Sequence, residues 1–173
     1  MLAARYLAGY PPELIAQAEQ LRLDGRLAEH LARRLPERHD VRSDAALFDY
    51  VQAFKARHLR NAGPLNYVGF DAKLRVLQQA LGTHTRRTQV QGARLKTRRE
   101  IRVATLFREA PAALLRMIVV HELAHLRELD HNKAFYLLCQ HMEPEYFQLE
   151  FDLRLYLMNL EHPAGGAVEQ GAA

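Results

Sequence analysis

The sequence predicts an α+β domain with a helical N-terminal half, a small antiparallel sheet and further helices towards the C-terminus. Three observations predict this order. Apolar residues recur at helical spacing through the first 82 residues, alternate as in strands between residues 83 and 106, and then fill a helix-like segment after Pro111. The 173 residues, 49% of them hydrophobic, suffice for one packed core. We therefore expect one domain over residues 1–163 and a disordered tail of small and polar residues over 164–173.

Helical patterns occur in both halves of the chain and are bounded by residues that favour helix ends. Gly25 is a break between the first two, Ser43 is a suitable N-cap for the third, and Gly82 has the position of a C-cap for the fourth. The expected helices cover about residues 12–24, 27–35, 44–59 and 70–81, and later 133–142 and the stretch from after Pro144 to about 161.

A basic hairpin is expected between the helical halves. Residues 83–91 and 100–106 favour strands, and the second alternates apolar with polar or small residues, as on a half-buried strand. Between residues 86 and 102 there are seven Lys or Arg and one Glu. This charge is either a solvated hairpin surface or an electropositive rim that binds phosphate or a substrate carboxylate. The candidates for such binding are Arg86, Arg87, Arg94 and Lys96.

A metal-binding pattern lies in the apolar segment after Pro111. His121 and His125 are four residues apart, so on a helix they share one face and can bind one zinc ion. Glu122 lies one step round the same turn, where a carboxylate can act as general base. A strand would put Glu122 on the opposite face from both histidines, so this arrangement favours a helix. A metal also offsets the cost of polar side chains in an apolar segment.

His131 is the expected third ligand, at a corner between two helices. From there it approaches the ion from a different direction, which tetrahedral coordination requires. Asp130 or Asn132 can cap the helix that follows. His141 on that helix is the competing third ligand. Three protein ligands leave one position open, as in a catalytic rather than a structural zinc site.

Bulk properties narrow the class of protein. A net charge of +4 permits anionic substrates without requiring nucleic acid, and basic residues do not interleave with aromatic ones as in a base-stacking surface. The single cysteine, Cys139, precludes a disulfide within the chain. With no secretory signal and no long apolar stretch, we expect a cytoplasmic protein without a membrane partner.

The metal pattern and its surroundings resemble a known family. The sequence is similar to the YgjP-like zinc metallohydrolases, a branch of the zincins related in motif to the SprT and WLM groups. The resemblance rests on residues 115–126 and 131–136, and also on 59–62, 81–85, 90–92, 100–104, 141–144 and 149–155. It covers about residues 6–161. The chain departs from the wider group at the hairpin, where Gln91-Gly92 stands in place of Trp-Gly, and from close relatives at Ala93, where they tend to have a second glycine.

The resemblance implies a zincin-like fold, with a small antiparallel sheet packed beside the metal helix. It carries the three zinc ligands onto His121, His125 and His131, and the catalytic base onto Glu122. Members of the family are commonly described as metallopeptidases, and some are assigned nucleoside-triphosphate pyrophosphatase activity, notably on UTP.

The interpretation from sequence is a zinc-dependent hydrolase of the metallopeptidase type, in which Glu122 activates a zinc-bound water for attack on an amide carbonyl. The alternative is a UTP pyrophosphatase that uses the same site and binds phosphates with the basic hairpin. A non-catalytic zinc module is the second alternative. The partner is thus a peptide or a nucleotide, and the oligomeric state is not predicted. Candidates for an oxyanion donor are His84, Tyr136, His141 and Tyr146. Candidates for a carboxylate that orients the histidines are Glu150 and Asp152.

Overall fold

A computed structural model of the protein describes residues 1–74 and 99–164. Within these two ranges the chain forms seven α-helices, two β-strands and one 3₁₀ turn, Thr105–Arg108. The elements in order are α1 Leu2–Tyr6, α2 Pro12–Leu23, α3 Leu27–Arg34, α4 Asp44–His58, β1 Tyr67–Asp71, β2 Glu100–Ala104, α5 Ala112–Ala124, α6 Lys133–Met142 and α7 Tyr146–Glu161. The α+β class is therefore confirmed. No helix in the described ranges is both long and apolar enough to span a bilayer.

The helices follow the sequence patterns closely, except at the N-terminus. Gly25, between α2 and α3, has φ 69°, a left-handed conformation that glycine adopts without a steric penalty from a Cβ. Ser43 caps α4 as predicted, because its hydroxyl accepts a hydrogen bond from the N–H of Ala46. Helix α1 was not predicted, since five residues are too few to display a helical period.

The prediction of an antiparallel sheet is wrong. In the part of the chain that the structure describes, β1 and β2 pair in parallel, with Tyr67 opposite Glu100 and Asp71 opposite Ala104. Strand β1 also replaces the start of the helix expected from Phe70. Residues 68–70 are buried in succession, and the pairing of this segment with β2 prevails over the helical spacing that Phe70 happens to share with later leucines.

Several predicted features lie outside the described residues. These are the strand over 83–91, the rest of the helix expected to 81, the part of the basic hairpin before Arg99, and all of the tail except Ala164. The prediction of one domain over 1–163 stays a prediction.

Helix α5 lies at the centre of the fold and packs against β2, α6 and α7. Its residues point into the core on nearly every side, which explains why the segment is apolar all round. The buried residues of the helix are Leu114, Leu115, Met117, Val119, Val120, Leu123 and Ala124. A helix enclosed in this way holds the side chains of its last turn in fixed positions.

Helix α7 is fixed by polar contacts to two N-terminal helices. The guanidinium of Arg154 donates to the carbonyl oxygen of Tyr6 at 3.1 Å, and the Tyr6 hydroxyl bonds Glu161. Asp152 has 1% of its side chain exposed, and its carboxylate lies 3.2 Å from Nε of Arg34 on α3. These contacts set the position of the whole helix, including its first residue, Tyr146.

Candidate metal centre

Three histidines converge at the end of α5. The Nε2 atoms of His121 and His125 are 3.2 Å apart, those of His125 and His131 are 3.0 Å apart, and those of His131 and His121 are 3.2 Å apart. Ligands at 2.0–2.1 Å from a tetrahedral zinc ion lie about 3.3 Å from one another. The three nitrogens therefore form a nearly equilateral triangle of the size that such an ion requires.

Local structure explains why these three side chains meet. His121 lies in the last turn of α5 and His125 is the residue at its C-terminal end, so the two rings face the same way. The chain then turns, and Asn132 caps α6 by accepting a hydrogen bond from the N–H of Phe135. His131 directly precedes this cap. His131 and His141 were the two candidates for the third ligand, and the structure places His131 in the cluster.

The outer nitrogens of two rings have defined hydrogen-bond partners. Nδ1 of His125 lies 2.9 Å from the carbonyl oxygen of Glu128, which can only accept, so Nδ1 carries the proton and Nε2 presents a lone pair. Nδ1 of His121 lies 2.7 Å from the hydroxyl of Tyr146. Nε2 of His125 therefore has no hydrogen to donate to its neighbours. A cation bound by the three nitrogens satisfies this arrangement, so the residues fit a metal ion.

Phe135 forms the floor of the site. It is fully buried, and its ring centroid lies 5.0 Å from that of His121, 4.6 Å from that of His125 and 4.8 Å from that of His131. Aromatic pairs at these distances attract each other in tilted and edge-to-face arrangements. One ring thus restricts the rotation of all three imidazoles.

Glu122 is next to the cluster in sequence but is not part of it. Its side chain is half-buried, and burial raises the pKa of the carboxyl to about 7. A pKa near neutrality suits a group that accepts and returns a proton at physiological pH. A divalent cation beside it would stabilise the carboxylate and lower this pKa.

The remaining candidates fall in different places. His141 is exposed on α6, with its ring 6.1 Å from that of His58 and outside the cluster. Tyr136 is half-buried, with its ring 6.3 Å from that of His131. Tyr146 is buried, and its hydroxyl lies at Nδ1 of His121, on the side of the ring away from Nε2.

The two acidic candidates face other partners. Asp152 pairs with Arg34, as described above. Glu150 is half-buried, lies 3.9 Å from Arg154, and has a pKa that burial raises. His84 and the basic candidates Arg86, Arg87, Arg94 and Lys96 lie outside the described residues. Two features of the site had no signal in the sequence: the carbonyl of Glu128, which is backbone, and the floor provided by Phe135, which looked like an ordinary core residue.

Comparison with known proteins agrees with this geometry. A curated protein of Escherichia coli (strain K12) named UTP pyrophosphatase is 57% identical over 155 residues, which cover 90% of this chain and 93% of that protein. No solved structure matches the chain. A family model described as the YgjP-like metallopeptidase domain matches residues 69–156, just over half of the chain and the part that contains all three histidines and Glu122. The chain therefore belongs to the YgjP-like family.

Proposed function

We propose that this protein is a zinc-dependent hydrolase that cleaves UTP to UMP and pyrophosphate. The observation that carries the proposal is the 57% identity, over 90% of the chain, to a protein named UTP pyrophosphatase. The order of the two enzymatic interpretations from sequence is thus reversed, with the nucleotide ahead of the peptide. A high identity over nearly the full length of both chains is stronger support for a shared reaction than a match to the same family model is.

His121, His125 and His131 would hold the ion through their Nε2 atoms. Three neutral imidazoles leave the full charge of a divalent cation in the site, which favours an anionic substrate. When bound, zinc supplies Lewis acidity, which makes a water molecule more acidic and offsets negative charge on phosphate oxygens.

Glu122 would act as general base. Its carboxylate accepts a proton from the attacking water, whose oxygen forms a new bond to the α-phosphorus. The anhydride bond between the α- and β-phosphates breaks, and pyrophosphate leaves with the bonding electrons. Glu122 directly follows His121 in the sequence and is not one of the three clustered residues, which supports this role.

Phosphate binding is expected from four residues of the basic segment that lie outside the described residues. Arg86, Arg87, Arg94 and Lys96 would pair with the β- and γ-phosphates. These four assignments rest on charge and position in the sequence.

A second candidate is a metallopeptidase, which the description of the family model favours. The same histidines and the same base can direct water to an amide carbonyl. A zinc module without catalysis is less well supported, because a purely structural site has no need of Glu122.

A paired assay separates these functions. The zinc-loaded protein is incubated with a nucleotide panel, with release of pyrophosphate as readout, and with casein-derived peptides, with new amino termini as readout. Glu122→Gln, matched for zinc content by elemental analysis, is the control. We expect pyrophosphate from UTP with the wild type and a loss of at least 10²-fold with the variant. Cleavage of peptides but not of nucleotides would support the metallopeptidase instead of the pyrophosphatase. If the protein cleaved neither substrate, the non-catalytic zinc module would be the remaining candidate.

A further inference from the structure

We propose that Tyr146 is a positioning residue for the metal centre: its buried hydroxyl accepts the Nδ1–H of His121 and so keeps Nε2 of that ring available as a ligand. This rests on the proposed metal site, but not on the choice between a nucleotide and a peptide as substrate.

The contact between Tyr146 and His121 has the geometry of a hydrogen bond rather than of side-chain packing alone. Tyr146 is fully buried at the start of α7, and its hydroxyl oxygen lies 2.7 Å from Nδ1 of His121. The two rings are nearly parallel, 19° apart, with centroids separated by 6.4 Å. The hydroxyl therefore meets the imidazole edge-on, in the direction in which an Nδ1–H bond points.

Proton counting gives the hydrogen bond its direction. A neutral imidazole carries one N–H, and a ring that binds metal through Nε2 must carry it at Nδ1. The Tyr146 oxygen must then accept. A phenol has an ordinary pKa of about 10, so the Tyr146 hydroxyl keeps its own proton at neutral pH. The thiol of Cys139, which is also fully buried, interacts with this hydroxyl.

The type of partner has a consequence for the charge of the site. Metal-bound histidines often donate to a carboxylate, which adds a negative charge behind the ligand. Here His121 faces a phenol and His125 faces the backbone carbonyl of Glu128, and both partners are neutral. Neutral acceptors orient these two rings without adding a negative charge behind them.

The test compares Tyr146→Phe, which removes one oxygen atom, with Tyr6→Phe. Tyr6 is an equally buried tyrosine whose hydroxyl bonds Glu161 and not one of the three clustered histidines, so its variant controls for loss of a buried phenol. Zinc affinity is measured by competition with a chromophoric chelator. We expect Tyr146→Phe to weaken binding by about 10–100-fold and Tyr6→Phe to leave it unchanged. Equal affinity in Tyr146→Phe and wild type, or an equal loss in both variants, would overturn the proposal.

A second measurement needs no variant. In zinc-loaded wild type, nitrogen-15 NMR of the imidazoles reports which nitrogen of His121 carries the proton. The proposal requires a protonated Nδ1 that exchanges slowly with solvent; a protonated Nε2 with metal on Nδ1 refutes it even if Tyr146→Phe fails to fold. If the wild type binds no zinc at all, the proposed metal site fails. If it binds zinc with the other tautomer, only the role of Tyr146 fails.

Discussion

Glu122 gives the metal-free protein a pH-dependent stability that can be worked out from its surroundings. Burial raises the pKa of its carboxyl from 4.5 to about 7 in the folded state. Between these two values the folded protein binds more protons than the unfolded chain, so its free energy of unfolding falls as the pH rises. The stability that Glu122 confers in its protonated form is complete below about pH 4.5 and is lost as the pH passes 7.

The magnitude follows from the size of the shift. A rise of roughly 2.5 pKa units corresponds to about 3 kcal/mol, at about 1.4 kcal/mol per unit. Glu122→Gln is neutral at every pH and has nearly the same shape. We therefore expect wild type and variant to be about equally stable near pH 4.5. By pH 8 the metal-free variant should be more stable by about 3 kcal/mol.

Urea unfolding followed by circular dichroism, after removal of metal with a chelator, measures this difference between pH 5 and 8. The three histidines are present in both proteins, so their own titration largely cancels. Zinc should shrink the difference, because a divalent cation stabilises the carboxylate. A difference that stays constant over this pH range, or one that grows in the opposite direction, would show that burial does not raise the pKa of Glu122.

Three further predictions concern the ligands and the packing around them. His131→Ala should lower the zinc affinity by at least 10²-fold in a chelator competition, whereas His141→Ala should bind zinc like the wild type. An equal loss of affinity in both variants would indicate that His141 is also a ligand. Zinc should dissociate as the pH falls below about 6, because protonation of imidazoles competes with the metal, and elemental analysis of dialysed samples checks this; metal retained to about pH 4 would contradict an all-histidine site. Arg34→Met leaves the buried carboxylate of Asp152 with the side-chain amide of Gln148 but without its charged partner, and should cost about 2 kcal/mol in urea unfolding. The matched variant Arg33→Met breaks an exposed ion pair and should cost less than about 1 kcal/mol. Similar losses of stability in the two variants would show that burial of the Asp152 carboxylate does not make its ion pair more important.

Most of the helices and the histidines at the centre of the site could be predicted from local sequence patterns. The helices α2, α3, α4, α6 and α7 have ends marked by capping residues, glycine or proline, and each signal acts within a few residues. The convergence of His121 with His125 follows from helical spacing alone. His131 was also predictable, because a capping residue directly after it places it at a helix corner.

The sheet could not be predicted in the same way. Strand β1 pairs with β2 across more than twenty residues, and parallel pairing depends on how the intervening segment crosses over, which neither strand's own sequence specifies. Phe70 also fitted a helical pattern by coincidence. The partners of the histidines were hidden for a related reason: the Tyr146 hydroxyl reaches His121 only because α7 is docked by contacts made elsewhere along its length.

Phe135 packs against all three imidazoles of the candidate metal centre, so the positions of these four side chains depend on one another. A smaller side chain at position 135 would remove a packing contact from all three histidines at once. Replacement of one histidine by a side chain of another shape would likewise disturb its packing against Phe135. A substitution of one of these histidines should therefore be coupled in free energy to a substitution at position 135.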